Sequence, residues 1–328
     1  LLTRHAINGR YDPDRAIEHT KRALRDEDWS VRAVAVTCMT ELAMAHEKHI
    51  RSAFRSLVGQ LQVEEHPNVK GNILRCLSKI ISRREVRGIE ELRRVSLTML
   101  RDPNNDIRHG SMLMLASIVL RSGKDIEETL REIGNMYSEL PPLVRRDALR
   151  ILRNIYVKYP RESVSVMREV SMIGLKDSSH LAREEAVRNI ACLLERGGLE
   201  PIDDIITMIR KKLRDAKDCV RIAAVEALDR VLEKNAGLAD KYLDVICEIL
   251  LKSKNRRLKI EVLRCLMRHI NNIPSDVIYK HKLPRILDIV EKNTVPKNRE
   301  LQQIKNMARM LLEEKLGFTY ERRCSLWA

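Results

Sequence analysis

An acidic residue followed six places later by a basic residue recurs along this chain at a nearly constant interval. The first members of these pairs, called anchors below, are Asp26, Glu64, Asp102, Glu139, Asp177, Asp215, Ser253 and Glu291. Their basic partners are Arg32, Lys70, Arg108, Arg145, Arg183, Arg221, Lys259 and Lys297. Successive anchors lie 38 residues apart, except for one interval of 37, and Ser253 is the one anchor that is not acidic. This period predicts a repeat array, because arrays grow by stacking equivalent units.

Apolar residues follow the same period. Ten residues after each anchor stand Val36, Leu74, Met112, Leu149, Val187, Val225, Leu263 and Leu301. Thirteen residues after each anchor stand Met39, Leu77, Leu115, Leu152, Ile190, Leu228, Leu266 and Ile304. The spacing is that of one buried helix face, and a second amphipathic pattern precedes each anchor. Each unit is therefore predicted to be a helix A, a turn at the anchor and a helix B. Gly123, Gly197 and Gly237 fall just past helix B ends, where a left-handed residue closes the last turn.

The units resemble HEAT repeats, in which Leu-x-Asp is followed by Val-Arg-x-x-Ala and then by spaced leucines. The clearest unit reads Leu213-Arg214-Asp215, then Val220-Arg221-Ile222-Ala223-Ala224, then Leu228. The resemblance covers roughly residues 12 to 316 and implies an all-α fold, a right-handed α-solenoid of about eight two-helix repeats. It also implies that the anchor and the basic residue of helix B form a hydrogen-bonded ladder between neighbouring repeats.

The two ends of the chain depart from the array. Residues 1–11 are expected to be the end of an N-terminal cap or of a truncated repeat, residues 12–316 the array, and residues 317–328 a C-terminal tail. The eighth unit is atypical because Pro296 replaces an aliphatic residue. The tail carries Phe318, Tyr320 and Trp327 in a chain with only 3% aromatic residues. It either folds back over the last repeat or serves as a docking segment.

Candidate metal and catalytic sets are scarce. The segment His46-Glu47-Lys48-His49 has its histidines three apart, whereas a zinc-protease helix needs them four apart. HEAT-like deoxyhypusine hydroxylases bind iron through several His-Glu pairs, and this chain has one. The remaining histidines, among them His109, His180 and His269, are expected to be surface residues or satisfied core residues.

HEAT-like alkyl-base DNA glycosylases rely on aromatic residues in their groove, and this chain has too few. Trp29 stands at the start of a helix B, where a packing role is predicted. No glycine-rich phosphate loop and no Ser, His and Asp grouping is recognisable. We therefore expect no catalytic residue, no metal site, no cofactor and no small-molecule substrate, and hence no enzyme.

Basic side chains on helix B are the remaining candidate site. In HEAT-like arrays helix B lines the concave surface. Residues eleven and fifteen places past the anchors, with two neighbours in the fourth unit, form what we call the basic stripe: Arg75, Lys79, Arg146, Arg150, Arg153, Arg188, Arg230, Arg264 and Arg268. The four-residue offset places both rows on one helix face. Thr37, Leu113 and Glu226 interrupt the stripe, and ordinary solvated helix surface is the alternative interpretation.

The chain carries 61 basic and 46 acidic residues, a net charge of +15, which attracts anionic partners without choosing among them. The leading hypothesis is a non-catalytic scaffold whose basic stripe binds a protein with an acidic surface or an acidic helix. The alternative is sequence-tolerant binding of the duplex DNA or RNA backbone. No apolar run is long enough to span a membrane. Seven cysteines without a disulfide spacing, with Cys38, Cys76 and Cys265 at equivalent core positions, indicate a reducing, cytoplasmic location.

Overall fold

The computed structural model describes residues 2–83, 86, 88–198, 202–234, 238, 242–292 and 299–316, and these residues form helices joined by short turns, with no strand. The chain divides into two compact units, residues 1–170 and 171–328. None of the described helices is both long and apolar enough to cross a membrane.

The helices of the first unit are α1 (Leu2–Ile7), α2 (Pro13–Ala23), α3 (Trp29–Ala45), α4 (Ile50–Val63), α5 (Pro67–Arg83), α6 (Ile89–Met99), α7 (Asn105–Ser122), α8 (Ile126–Met136), α9 (Pro142–Lys158) and most of α10 (Pro160–Gly174). The helices of the second unit are α11 (His180–Glu195), α12 (Ile202–Lys212), α13 (Asp218–Lys234), α14 (Leu243–Lys252), α15 (Arg256–His269), α16 (Ser275–Lys280), α17 (Leu283–Lys292) and α18 (Arg299–Leu316).

Long and short helices alternate as the anchors predict. The predicted helices B are α3, α5, α7 and α9 in the first unit, and α11, α13, α15 and α18 in the second. Within each unit, every helix B packs against the next helix B. A helix A packs against the helix B that follows it in pairs such as α4 with α5, α6 with α7 and α14 with α15. The predicted fold class, an all-α solenoid, is therefore confirmed, while the number of repeats and their period stay predictions.

The core lies where the apolar period places it. All eight residues ten places past an anchor, from Val36 to Leu301, are buried. Of the residues thirteen places past an anchor, the seven from Met39 to Leu266 are buried, and Ile304 is half-buried. These buried positions lie on the helices B, which pack against one another within each unit, so the apolar period marks the core of the array.

The anchors shape the turns between helices A and B. The anchor oxygen accepts a hydrogen bond from the backbone N–H two residues later, at 2.8 to 3.1 Å, for Asp26, Glu64, Asp102, Asp177, Asp215 and Ser253. A hydroxyl oxygen accepts this bond as a carboxylate does, so Ser253 keeps the turn without the charge. Asp28, Asn104 and Asn255 then cap the N-termini of α3, α7 and α15.

The predicted helix ends are partly confirmed. Gly123 caps α7 with a φ of 67°, and Gly197 follows α11 with a φ of 71°. A left-handed backbone suits glycine because other residues pay a steric cost there. Gly237 lies outside the described residues.

Two glycines allow α5 and α7 to pack unusually closely. A Cβ atom built on Gly71 would lie 2.6 Å from the carbonyl oxygen of Asp106, and one built on Gly110 would lie 2.7 Å from the carbonyl oxygen of Gly71. The backbones of the two helices therefore approach closely at this crossing.

At the N-terminus, α1 packs against α2 and α3. The predicted boundaries at residues 11 and 316 stay predictions. Pro296 and the tail residues Phe318, Tyr320 and Trp327 lie outside the described residues.

Candidate partner-binding surface

Arg32 and Arg183, two of the basic residues six places past the anchors, bind backbone in their own turn and the carboxylate of the next anchor. Arg32 Nη1 donates to the carbonyl oxygens of Asp26 and Glu27, at 2.8 and 2.9 Å. Its Nε and Nη2 bind both carboxylate oxygens of the next anchor, Glu64, at 2.9 and 2.8 Å. Bidentate pairs of this kind fix both distance and angle.

The second unit repeats this arrangement. Arg183 Nη1 donates to the carbonyl oxygens of Asp177 and Ser178, and its Nε and Nη2 bind Asp215 at 2.8 and 2.9 Å. Burial by itself would raise the pKa of Asp215, but the hydrogen bonds from Arg183 and from the backbone N–H of Lys217 hold that pKa below its usual value. In the same way, burial opposes ionisation of Glu64, yet Arg32, Gln60 and the His66 N–H lower its pKa to about 2.

The predicted ladder is not continuous. Lys70 and Asp102 form no salt bridge, although both are described. Arg108 binds the carbonyl oxygens of Asp102 and Pro103 and the side chain of Asn105, not the next anchor. Arg221 faces an uncharged anchor and pairs with Asp218 of its own helix. Where it forms, the ladder joins repeats, so its role is structural.

The basic stripe of the first unit is bound to acidic side chains. Arg75 Nη1 lies 3.3 Å from Asp106 Oδ1 on the neighbouring helix α7. Arg146 and Arg150 each place Nη2 2.9 Å from Oδ1 of Asp147, while His109 of α7 places Nε2 3.1 Å from Oδ2 of the same residue.

Asp147 is the centre of this cluster, because His109, Arg146 and Arg150 all bind its carboxylate. Its side chain is only 9% exposed. Burial would raise the pKa of Asp147, but hydrogen bonds from His109 and Arg146 hold it below the usual value. Of the other two stripe residues in this unit, Lys79 is exposed and forms no salt bridge with a described residue, and Arg153 is half-buried. Lys79 is thus the stripe residue most accessible to a ligand in this unit.

The stripe of the second unit is bound in the same manner. Arg188 of α11 lies 2.8 Å from Glu184 on its own helix and 3.9 Å from Glu226 on α13. Arg230 of α13 reaches back to Glu195 of α11 at 3.1 Å.

Two further stripe residues lie on α15. Arg264 binds Glu261 at 3.0 Å and Glu300 of α18 at 2.9 Å. Arg268 pairs with Asp229 of α13. Stripe arginines in both units therefore meet acidic partners that the sequence interpretation did not include. Five of them connect successive helices B, namely Arg75, Arg188, Arg230, Arg264 and Arg268.

Part of this pairing could have been read from the sequence. Asp147 with Arg150, Glu184 with Arg188, and Glu261 with Arg264 are three or four residues apart on one helix, a spacing at which opposite charges meet. The pairs between helices depend on the stacking geometry and have no local signal. The resulting face carries mixed charge with exposed arginine edges.

An apolar groove lies elsewhere in the first unit, between α4 and α6. It has a volume of about 450 Å³ and is lined mainly by Phe54, Val58, Leu92, Val95 and Met99. Arg55, Lys70 and Glu91 also line it. The groove offers space for an apolar side chain, but it lies on helix A and not on the basic stripe.

The sequence expectation for Trp29 is met. Trp29 stacks on His66 with ring centroids 4.2 Å apart and planes 5° from parallel, which is the packing role predicted for it. His49 is buried and places Nε2 3.0 Å from Asp14 Oδ1.

His269 is buried and bonded to Asp229, as expected of a satisfied core histidine. It also lies beside Cys265, so that Asp229, Cys265 and His269 form a three-residue group with the donor atoms of a metal site. The sequence interpretation missed this group because its two halves lie on different helices.

No protein-family profile matches the sequence, and no curated protein matches it. Solved structures do match. The structure of karyopherin Kap121p bound to the extreme C-terminus of the protein phosphatase Cdc14p covers 98% of this chain at 12% identity, with a TM-score of 0.62. Kap121p bound to the SUMO protease Ulp1p covers 96% at 12% identity with a TM-score of 0.65, and Kap121p bound to Nup53p covers 98% at 13% with a TM-score of 0.61. This chain spans about 34 to 40% of those chains. At these identities the likeness concerns the fold, a HEAT-type α-solenoid.

Proposed function

We propose that this chain is a non-catalytic protein-interaction scaffold whose helix B face binds a protein with an acidic surface or an acidic helix. The observation that carries the proposal is the basic stripe itself, which presents arginine side chains at equivalent places on successive helices B. Arg150 and Arg264 keep 50% and 41% of their side-chain surface exposed although each is ion-paired.

Paired arginines favour a protein partner over a nucleic acid. A guanidinium has five N–H donors, so an arginine that binds one carboxylate can still donate to a second acceptor. An acidic side chain of a partner can join such a pair at one point. A run of phosphates would have to compete with the fixed carboxylates at every step along the backbone.

The structural neighbours support the same class of function. Kap121p structures include complexes with Nup53p, Pho4p and the SUMO protease Ulp1p, all of which are proteins. An α-solenoid suits this task because each repeat adds surface without changing the core.

The test is affinity capture from native extract, comparing the wild type with Arg150→Gln, Arg188→Gln and Arg264→Gln combined. Glutamine is preferable to glutamate here because a new carboxylate would repel Asp147, Glu184 and Glu261. We expect acidic proteins captured by the wild type to be depleted at least about tenfold, since losing several charge-assisted contacts removes more than 1.4 kcal/mol.

The matched control removes three exposed arginines from helices A: Arg51→Gln, Arg94→Gln and Arg131→Gln. It has the same net charge as the stripe variant and should capture the wild-type set. Identical protein sets from the stripe variant and the wild type would refute the proposal. Nuclease treatment of the extract separates the alternative, because proteins held through nucleic acid would then be lost from the wild type.

A further inference from the structure

Two residue pairs face each other across α13 and α15 in the second unit. Asp229 and Glu233 are one turn apart on α13, and Cys265 and His269 are one turn apart on α15. One donor atom each from Asp229, Cys265 and His269 lie within 4.8 Å of one another, and His269 Nε2 is 3.0 Å from Asp229 Oδ1. Within the described part of the chain, this is the one group of three such residues at metal-ligand spacing.

The group of Asp229, Cys265 and His269 is buried on the side of Cys265 and His269 and open to solvent on the side of Glu233. Cys265 is 2% exposed and His269 4%, while the side chain of Asp229 is 13% exposed. Glu233 is exposed, and its charge acts on both Cys265 and His269, so it stands on the solvent side of the group. An ion can therefore enter past Glu233 and reach the three inner donors.

The donor set selects the ion. A thiolate, an imidazole and carboxylates suit Zn²⁺, whereas Mg²⁺ and Ca²⁺ require oxygen donors. Ligand atoms of a tetrahedral zinc site are about 3.3 to 3.8 Å apart, given bond lengths of roughly 2.0 to 2.3 Å. We propose that Asp229, Cys265 and His269, with Glu233 as fourth donor, bind one Zn²⁺ that links α13 to α15.

Arg268 is the cation beside this site. It pairs with the carboxylate of Asp229 and so fixes the orientation in which Oδ1 faces His269. A thiolate and two carboxylates carry three negative charges, which balance Zn²⁺ and the guanidinium together. The nearby arginine thus orients a ligand without leaving the occupied site with excess positive charge.

Binding must displace one proton. Burial raises the pKa of the Cys265 thiol to about 12, so the sulfur is protonated at neutral pH. Burial likewise lowers the pKa of His269, which keeps its ring neutral and ready to bind a metal. On binding, the Cys265 S–H bond breaks, the sulfur electron pair forms the S–Zn bond, and the proton leaves to solvent.

The experiment uses the full chain, reduced and freed of metal with a chelator, and titrates it with Co²⁺ as a spectroscopic probe and then with Zn²⁺. We expect one equivalent of Co²⁺ to give a thiolate-to-cobalt charge-transfer band and the intense visible bands of tetrahedral coordination. Binding of Co²⁺ to the metal-free chain should release one proton per site in weak buffer. Zn²⁺ should then displace the cobalt without further proton release, and the zinc-bound chain should melt several degrees above the metal-free chain.

Variants assign the ligands. Cys265→Ser should abolish the charge-transfer band, and His269→Gln should weaken Co²⁺ affinity by about tenfold or more. The matched control is Cys247→Ser, which removes another buried cysteine of the same unit and should leave the band unchanged.

The wild type supplies the decisive measurement if a ligand variant does not fold. X-ray absorption at the zinc edge should then show one sulfur and otherwise nitrogen and oxygen neighbours. The proposal is overturned if the wild type gives no charge-transfer band, if the zinc shell lacks sulfur, or if a folded Cys265→Ser variant retains the band.

Discussion

At the scale of single residues, the anchors have two separate structural roles. Each described anchor from Asp26 to Ser253, Glu139 excepted, accepts the N–H that starts the turn into helix B, and this needs only an oxygen atom. Glu64 and Asp215 additionally bind the arginine of the preceding repeat, and this needs a charge. Ser253 has the oxygen atom but not the charge, so the turn is intact while Arg221 pairs with Asp218 instead of with the anchor.

The ion pair of Glu64 with Arg32 predicts how the free energy of unfolding depends on pH. Glu64 has a pKa lowered from 4.5 to about 2, so its ionised form stabilises the fold above pH 4.5, and this contribution is lost as the pH falls towards 2. Glu64→Gln should therefore cost about 2 to 4 kcal/mol at pH 7, since 1 pKa unit corresponds to roughly 1.4 kcal/mol. Urea unfolding at several pH values measures this difference.

The neighbouring Glu65→Gln is the matched control, because Glu65 is exposed and should change stability by less than about 0.5 kcal/mol. The difference between Glu64→Gln and the wild type should shrink as the pH is lowered below 4. A difference that stays constant from pH 7 to pH 3 would show that the carboxylate charge is not what holds Arg32.

At the scale of helices, two glycines allow the close contact of α5 with α7. Helix interiors disfavour glycine, because it gains no packing and loses more backbone freedom than alanine on folding. Gly71 and Gly110 stand where an added methyl group would meet backbone atoms of the partner helix. The local cost is thus offset by the close approach of the two helices.

Alanine substitution should separate the intrinsic cost of glycine in a helix from the benefit of the close approach of α5 and α7. Gly71→Ala places Cβ 2.6 Å from the Asp106 carbonyl oxygen, so the helices must move apart, at a cost of about 1 to 3 kcal/mol. Gly59→Ala is the matched control in α4, where a Cβ meets nothing within 4 Å, and it should stabilise by about 0.5 to 1 kcal/mol. Thermal melting of the two variants measures both changes in stability. Equal shifts of the melting temperature in the same direction would contradict close packing at Gly71.

The helices themselves were predictable from the sequence, because period and amphipathicity are local properties. The residues ten and thirteen places past the anchors identified the core, and only Ile304, near the end of the array, is less buried than expected. The acidic partners of the stripe residues were harder to predict. The stripe arginines were found on the predicted face, yet Asp106, Glu195 and Glu300 come from other helices, so their pairing depends on stacking geometry that no local spacing encodes.

At the scale of the whole molecule, the net charge of +15 does not describe the helix B face. At least seven of the nine stripe residues have a carboxylate within 4.0 Å. A polyanion that approaches this face meets fixed carboxylates beside the arginines. Charge counted over the sequence therefore overstates the attraction for nucleic acid at this surface.

Duplex DNA binding should accordingly be weak at about 0.15 M salt, with a log-log salt slope no steeper than about −2, since each neutralised phosphate contributes roughly −0.9. A mobility-shift titration at several salt concentrations measures the slope. Asp106→Asn combined with Glu261→Gln and Glu300→Gln removes the carboxylates that bind Arg75 and Arg264 and should steepen the slope. Tight wild-type binding with a steep slope would favour the nucleic-acid alternative.

Successive helices B of the first unit are held by joints of two kinds. The joint of α3 with α5 contains the Arg32–Glu64 clamp, which a proton can open. The joint of α5 with α7 combines the glycine contact, which a proton cannot open, with the half-exposed Arg75–Asp106 ion pair. Acid should consequently loosen the unit joint by joint before it melts as a whole. Amide hydrogen exchange at falling pH would then record an order of opening along the chain, a behaviour suited to a one-dimensional array.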